Sequence, residues 1–146
     1  MKIFFTVLFL FVLSVGGWFI YKNYYFKASD VSGEGNVIYD NKDILVEMPK
    51  LGDLISSPLI VSGKARGSWF FEASFPIKIL DASKENIADS HVQAQGEWMT
   101  SDFVPFIGKI KFNTPDSNSG FLVLSKDNPS GLLENDASIE IPVKFR

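Results

Sequence analysis

No cysteine occurs anywhere in this sequence, and histidine occurs once, at His91. The first absence excludes disulfides, zinc–thiolate centres, a thiol nucleophile and a lipid-modified cysteine at a signal-cleavage point. The second leaves any histidine-based triad or metal site with a single residue to build on. Neither a Gly-x-Ser-x-Gly elbow nor a metal-ligand spacing surrounds it, and its polar setting, Asp89-Ser90-His91, reads as surface. Basic residues are scarce as well. Lys2, Lys22 and Lys27 precede every carboxylate, and the 11 basic residues that follow face 17 acidic ones, a net charge of −6 beyond position 27. A phosphate backbone needs a concentrated basic face, so nucleic acid is not an expected partner.

What the chain does contain begins with an uncharged run, Ile3 to Tyr21, between Lys2 and Lys22. At about 1.5 Å per helical residue such a run matches the roughly 30 Å hydrocarbon core of a bilayer. A cleaved signal peptide is the alternative, but its apolar core is shorter, about 7 to 15 residues, and ends in small side chains. Here the run closes on Trp18-Phe19-Ile20-Tyr21 and is followed by Tyr24-Tyr25-Phe26, an aromatic belt suited to a headgroup layer. Residues 1–27 are therefore expected to be a retained anchor and its flank, with one transmembrane helix. Lysines on the two sides nearly balance. A folded domain after a very short N-terminal tail favours a single-pass protein of the cell membrane with its C-terminal domain outside the cytoplasm.

Residues 28–42, poor in large aliphatics and rich in Asp, Ser, Gly and Asn, read as a flexible linker with a reach of roughly 20 Å. From residue 43 to 146 the apolar residues recur with period two. Ile44, Val46 and Met48 form one row; Leu59, Val61, Gly63 and Ala65 a second; Trp69, Phe71, Ala73, Phe75, Ile77 and Ile79 a third. Shorter signals follow over Ile87 to Gln95, at Phe106, Ile110 and Phe112, and at Phe121 and Val123. The last row, Ile139, Ile141, Val143 and Phe145, alternates with Glu140, Pro142, Lys144 and Arg146. About seven short strands with turn signals between them predict an all-β, two-sheet sandwich, and 14 Phe residues supply a core for a domain without covalent staples. Pro76 and Pro142 have no N–H for a ladder, which directs them to sheet edges or outward-facing nitrogens.

Aromatic clusters outside regular alternation are the candidate binding residues. Trp69-Phe70-Phe71 puts rings on both faces of one strand, so Phe70 is a candidate for exposure. Trp98 and Phe103 sit in a connection, where Trp98 either binds a ligand or plugs the end of the sandwich with Met99 beside it. The long connection Lys126 to Ser138 holds Asp127 and Asn128, with Asn128, Pro129 and Gly131 at preferred positions of a type I turn. Its Asp127, Asn128, Glu134, Asn135 and Asp136 offer oxygen ligands without the spacing of a calcium loop, so no metal or cofactor is expected. Glu72, Glu97 and Asp102 are the carboxylates a glycosidase would need, but nothing fixes their separation. Salt-bridged or solvated carboxylates are the plainer expectation, Glu72 with Arg66 or Lys64 being one such pair.

The segments Ser57-Pro58-Leu59-Ile60-Val61-Ser62-Gly63-Lys64-Ala65-Arg66-Gly67 and Trp69-Phe70-Phe71-Glu72-Ala73-Ser74-Phe75-Pro76 resemble the immunoglobulin-like domain of bacterial spore germination. So do Gly96-Glu97-Trp98-Met99-Thr100, Phe103-Val104-Pro105-Phe106, Lys126-Asp127-Asn128-Pro129-Ser130-Gly131 and Ile141-Pro142-Val143-Lys144-Phe145. The resemblance runs from about Ile44 to Phe145. It implies an immunoglobulin-like sandwich in a bacterial envelope, with a link to germination or sporulation. Together these readings predict a non-catalytic, membrane-anchored module outside the cytoplasm that binds another envelope protein. Binding of a cell-wall glycan is the alternative, and hydrolysis a distant third.

Overall fold

The computed structural model describes residues 39–146, and the expected anchor with most of the expected linker lies outside them. Among the described residues no helix is long and apolar enough to cross a membrane. Nine strands follow in chain order: β1 Tyr39–Asp40, β2 Ile44–Met48, β3 Leu54–Ile55, β4 Leu59–Arg66, β5 Ser74–Asp81, β6 Asn86–Ala94, β7 Phe103–Ile110, β8 Ser119–Ser125 and β9 Ser138–Phe145. The two beyond the expected seven are two-residue strands, too short to show alternation. They end the hydrogen-bonded order β1-β2-β4-β7-β6-β5-β8-β9-β3. Pairing starts at Tyr39, opposite Val46, inside the stretch expected to be linker. All pairings are antiparallel except that of β3 with β9.

The order is continuous, but it folds over on itself at β6. That strand pairs with β5 along most of its length and with β7 only through Val92, Gln93 and Ala94. Phe75 of β5 and Phe106 of β7 therefore meet across the interior, edge to face, with ring centroids 5.1 Å apart, as Phe112 and Phe145 do at 5.9 Å. Buried residues from both halves form one cluster, and no polar or charged residue among those described is buried. This is a two-layer sandwich packed by apolar side chains.

Three rows differ from the alternation read in the sequence. Met48 turns outward because a register shift after Val46 inserts a bulge in β2. The long third row is interrupted: Trp69 belongs to a 3-10 turn, Gly67–Trp69, and β5 begins only at Ser74. In β8 the core-facing residues are Leu122 and Leu124, while Phe121 is only half-buried beside them. The last row is as expected, with Ile139, Ile141, Val143 and Phe145 all buried. β9 is not an edge strand, since β3 lies beside it; the carbonyl of Pro142 accepts from Gly52 N–H at 2.8 Å. A residue's nitrogen and carbonyl point to the same side of a strand, so the missing N–H of Pro142 falls where that pairing begins. Pro76 lies one residue before the first β5–β8 pair, Ile77 with Leu124.

The register gives the sandwich two distinct ends. β4, β6 and β8 finish, and β5, β7 and β9 start, at a loop end built from residues 41–43, 67–73, 95–102 and 126–137. At the opposite, basal end β9 finishes, and β1 runs away from the Met48 end of β2.

Candidate functional site

Most of the residues singled out in the sequence gather at the loop end, where glycine and aromatic residues set the local structure. β4 passes into the 3-10 turn through Gly67, whose N–H donates to Asp102 O at 3.1 Å. A Cβ on Gly67 would lie 2.0 Å from Thr100 O and 2.3 Å from Trp98 O. Only glycine lets the 95–102 connection close down so tightly. Trp69 and Phe70 then turn inward. Their rings meet Phe75 edge to face, at centroid distances of 5.7 and 5.1 Å.

Phe70, expected as an exposed binding ring, is therefore core, with 4% of its surface accessible. Phe71 is exposed in its place, because a two-residue hairpin loop breaks the strand. Phe71 and Ser74 exchange both backbone hydrogen bonds at 3.0 Å, with Glu72 and Ala73 between them at φ of 48° and 62°. Ala94 N–H holds the Ala73 carbonyl at 2.8 Å. Among the described residues Glu72 makes no salt bridge; Arg66 instead stacks on the Phe103 ring, 4.2 Å from its centroid, and its Nη1 donates to Ser101 O at 3.2 Å.

Trp98 packs against the core from the 95–102 connection, half-buried as a plug would be. Met99 does not fill in beside it: 75% of its surface is exposed. Between Ser68 and Thr100, over Phe70, Trp98 and Met99, lies an open recess of about 510 Å³. Phe103 takes no part in it. It projects from β7 onto the outer face of the sheet, opposite Arg66.

The 126–137 connection is tied down by Asp127, whose N–H donates to Trp69 O at 3.0 Å. Asn128 is engaged within the loop. Its Nδ2 donates to Leu132 O at 2.8 Å and to Asp136 Oδ1 at 2.6 Å, and its Oδ1 accepts from Ser130 Oγ. The expected turn is present, with Gly131 N–H donating to Asn128 O at 3.2 Å. Asp127 therefore ties the loop down through its backbone, and Asn128 directs its side-chain amide into it. What the loop displays is Leu132 and Leu133, the latter 86% exposed at the start of a 3-10 turn, Leu133–Asn135. Among the described residues, no three of its carboxylates converge as metal ligands. In the sequence Met99 reads only as filler beside Trp98, and Leu132 and Leu133 go unremarked, although a Leu-Leu pair inside a polar loop is a visible signal.

The carboxylates Glu72, Glu97 and Asp102 lie on different turns. Glu97 Oε1 accepts from Met99 N–H at 3.3 Å, and Thr100 Oγ1 accepts from Asp102 N–H at 3.2 Å. His91 is exposed in β6 opposite Pro76.

A Greek-key-like sandwich with its connections gathered at two ends defines an immunoglobulin-like domain. The family model for the immunoglobulin-like domain of bacterial spore germination matches residues 43–132, and the chain belongs to that family. The matched stretch stops in the 126–137 connection, although β9 beyond it completes the sheet. No curated protein and no solved structure matches the chain.

Proposed function

We propose that this chain is a non-catalytic interaction module, anchored in the membrane by its N-terminal apolar segment, whose loop end binds another envelope protein. The observation that carries the reading is the exposure of Met99, Leu132 and Leu133 on the connections of one end. Water-exposed side chains of this size on neighbouring loops gain most by docking onto a partner. The connections of the same end carry Glu72, Glu97, Asp102, Glu134 and Asp136, which suits a partner with a basic rim. The Ile3–Tyr21 run supports the anchor, and family membership supports a germination setting.

β1 runs towards the loop end, from Tyr39 opposite Val46 to Asp40 opposite Leu45. The glycan alternative keeps Trp98 over the recess but loses Phe70 to the core. Two experiments test the proposal. Protease added to intact cells removes an outward-facing domain and spares one that faces the cytoplasm. Cross-linking from the loop end in membranes yields an adduct if the protein-partner reading is right and unmodified monomer if it is wrong.

A further inference from the structure

A second surface lies on the outer side of β4 and β7. In β4, Val61, Gly63 and Ala65 point inward, as do Val104, Phe106 and Ile110 in β7. The alternate residues therefore point out, in the rows Arg66–Phe103, Lys64–Pro105, Ser62–Ile107 and Ile60–Lys109. Met48 joins this face opposite Ser62. Ile60, Phe103, Ile107 and Met48 are exposed apolar residues, whereas β5, β6, β8 and β9 carry no exposed large apolar residue.

The charges are divided in the same way. The described residues hold 15 Asp and Glu against 11 Lys and Arg, yet the β4–β7 face carries Lys64, Arg66 and Lys109, with acidic residues only on the neighbouring strands, Glu47 on β2 and Asp40 on β1. Among the described residues none of these three cations forms an ion pair. On the outer face of the other layer Lys78 pairs with Asp89 and Lys84 with Glu140, leaving Lys144 of β9 without an ion pair among the described residues. One face of an acidic domain thus combines uncompensated cations with exposed apolar side chains. That pairing of features is what an anionic bilayer binds: the cations meet headgroup charge and the apolar tips enter the boundary layer.

We infer that the β4–β7 face rests on an anionic lipid surface. The inference rests on the anchored reading above, which fixes the domain within roughly 20 Å of the bilayer by its linker. β1, through which the chain comes in, belongs to the same layer as this face. Flat docking leaves the loop end at the rim, open to a partner. Each cation near an anionic surface strengthens binding roughly fivefold, and the three together roughly a hundredfold.

The absence of cysteine makes single-site labelling direct. The full chain carrying Ile107→Cys, labelled with an environment-sensitive fluorophore, is reconstituted in vesicles of phosphatidylcholine, with and without phosphatidylglycerol. The expected result is a blue shift and quenching by a lipid-borne nitroxide in anionic vesicles only. A label at Asp89→Cys, on the other layer, stays exposed in both. Lys64→Glu with Arg66→Glu and Lys109→Glu returns the signal at position 107 to its neutral-vesicle level. The milder Lys64→Gln with Lys109→Gln weakens the anionic response roughly twentyfold. Equal exposure at position 107 in both vesicles overturns the inference. So does a response to added polyglutamate without one to anionic vesicles, which assigns the face to an acidic polypeptide. A chain that fails to float with neutral vesicles but still responds to anionic ones removes the anchor and leaves the lipid-facing surface standing.

Discussion

The N–H of Asp127 donates to the carbonyl of Trp69 at 3.0 Å, joining the longest connection of the domain to a ring buried in its core. Through this bond the loop displaying Leu132 and Leu133 is held against the same turn that Gly67 locks to the 95–102 connection. The loop end therefore behaves as one unit with the core, and substitutions deep inside it affect what it presents.

Gly67→Ala places a methyl group against two backbone carbonyls, Thr100 O and Trp98 O. Backbone atoms yield less readily than the tip of a side chain, so the expected loss is about 2 kcal/mol or more, in the range of overpacking substitutions. Urea unfolding checks the magnitude, and hydrogen exchange at Met99 and Thr100 should accelerate ahead of the strands. Unchanged stability would show that the close approach is not a constraint.

The hairpin loop at Glu72-Ala73 holds two non-glycine residues at positive φ, where this turn prefers Asn-Gly. Each such residue costs about 1 kcal/mol. Replacing Glu72→Asn together with Ala73→Gly is expected to stabilise the domain by about 1–2 kcal/mol, a rise in Tm of several degrees. A lower Tm contradicts the geometry assigned to Phe71, Glu72 and Ala73.

Phe70 and Trp98 separate by thermal denaturation. Phe70→Ala removes a ring packed on Phe75 and should cost about 3–5 kcal/mol. The half-buried Trp98 should cost less. A glycan pull-down weakened by Phe70→Ala therefore reports unfolding, and Trp98→Ala is the informative variant for sugar binding. Equal, small losses for both would return Phe70 to the surface.

The strands were legible where burial alternates without interruption. Leu59 to Ala65 and Ile139 to Phe145 lie as their period-two pattern requires. Legibility failed where backbone conformation overrides side-chain pattern. The bulge that turns Met48 out, and the left-handed pair that exposes Phe71 and sends Phe70 inward, leave no mark in hydrophobic alternation. Asn128 looks like a ligand in the sequence because loops and binding sites favour the same polar residues; its hydrogen bonds decide for a turn. Met99 and Leu133 were hidden for the opposite reason, since apolar residues in a sequence suggest core until burial is known.

Met99→Asp and Leu133→Asp replace side chains that are largely exposed. They should leave stability within about 0.5 kcal/mol of the parent while removing partner capture. Circular dichroism melting and cross-linking yield, measured on the same preparations, separate the two effects. Intact capture by both variants argues against an apolar docking surface on these loops.

The most direct test places a photoreactive residue at position 133 of the full chain in its native membrane, with position 89 on the β6 strand as reference. A defined higher-mass adduct from position 133, absent from position 89 and lost on Met99→Asp, is the predicted result. Only uncross-linked monomer from position 133, or equal adducts from both positions, would contradict a loop end built to hold a partner.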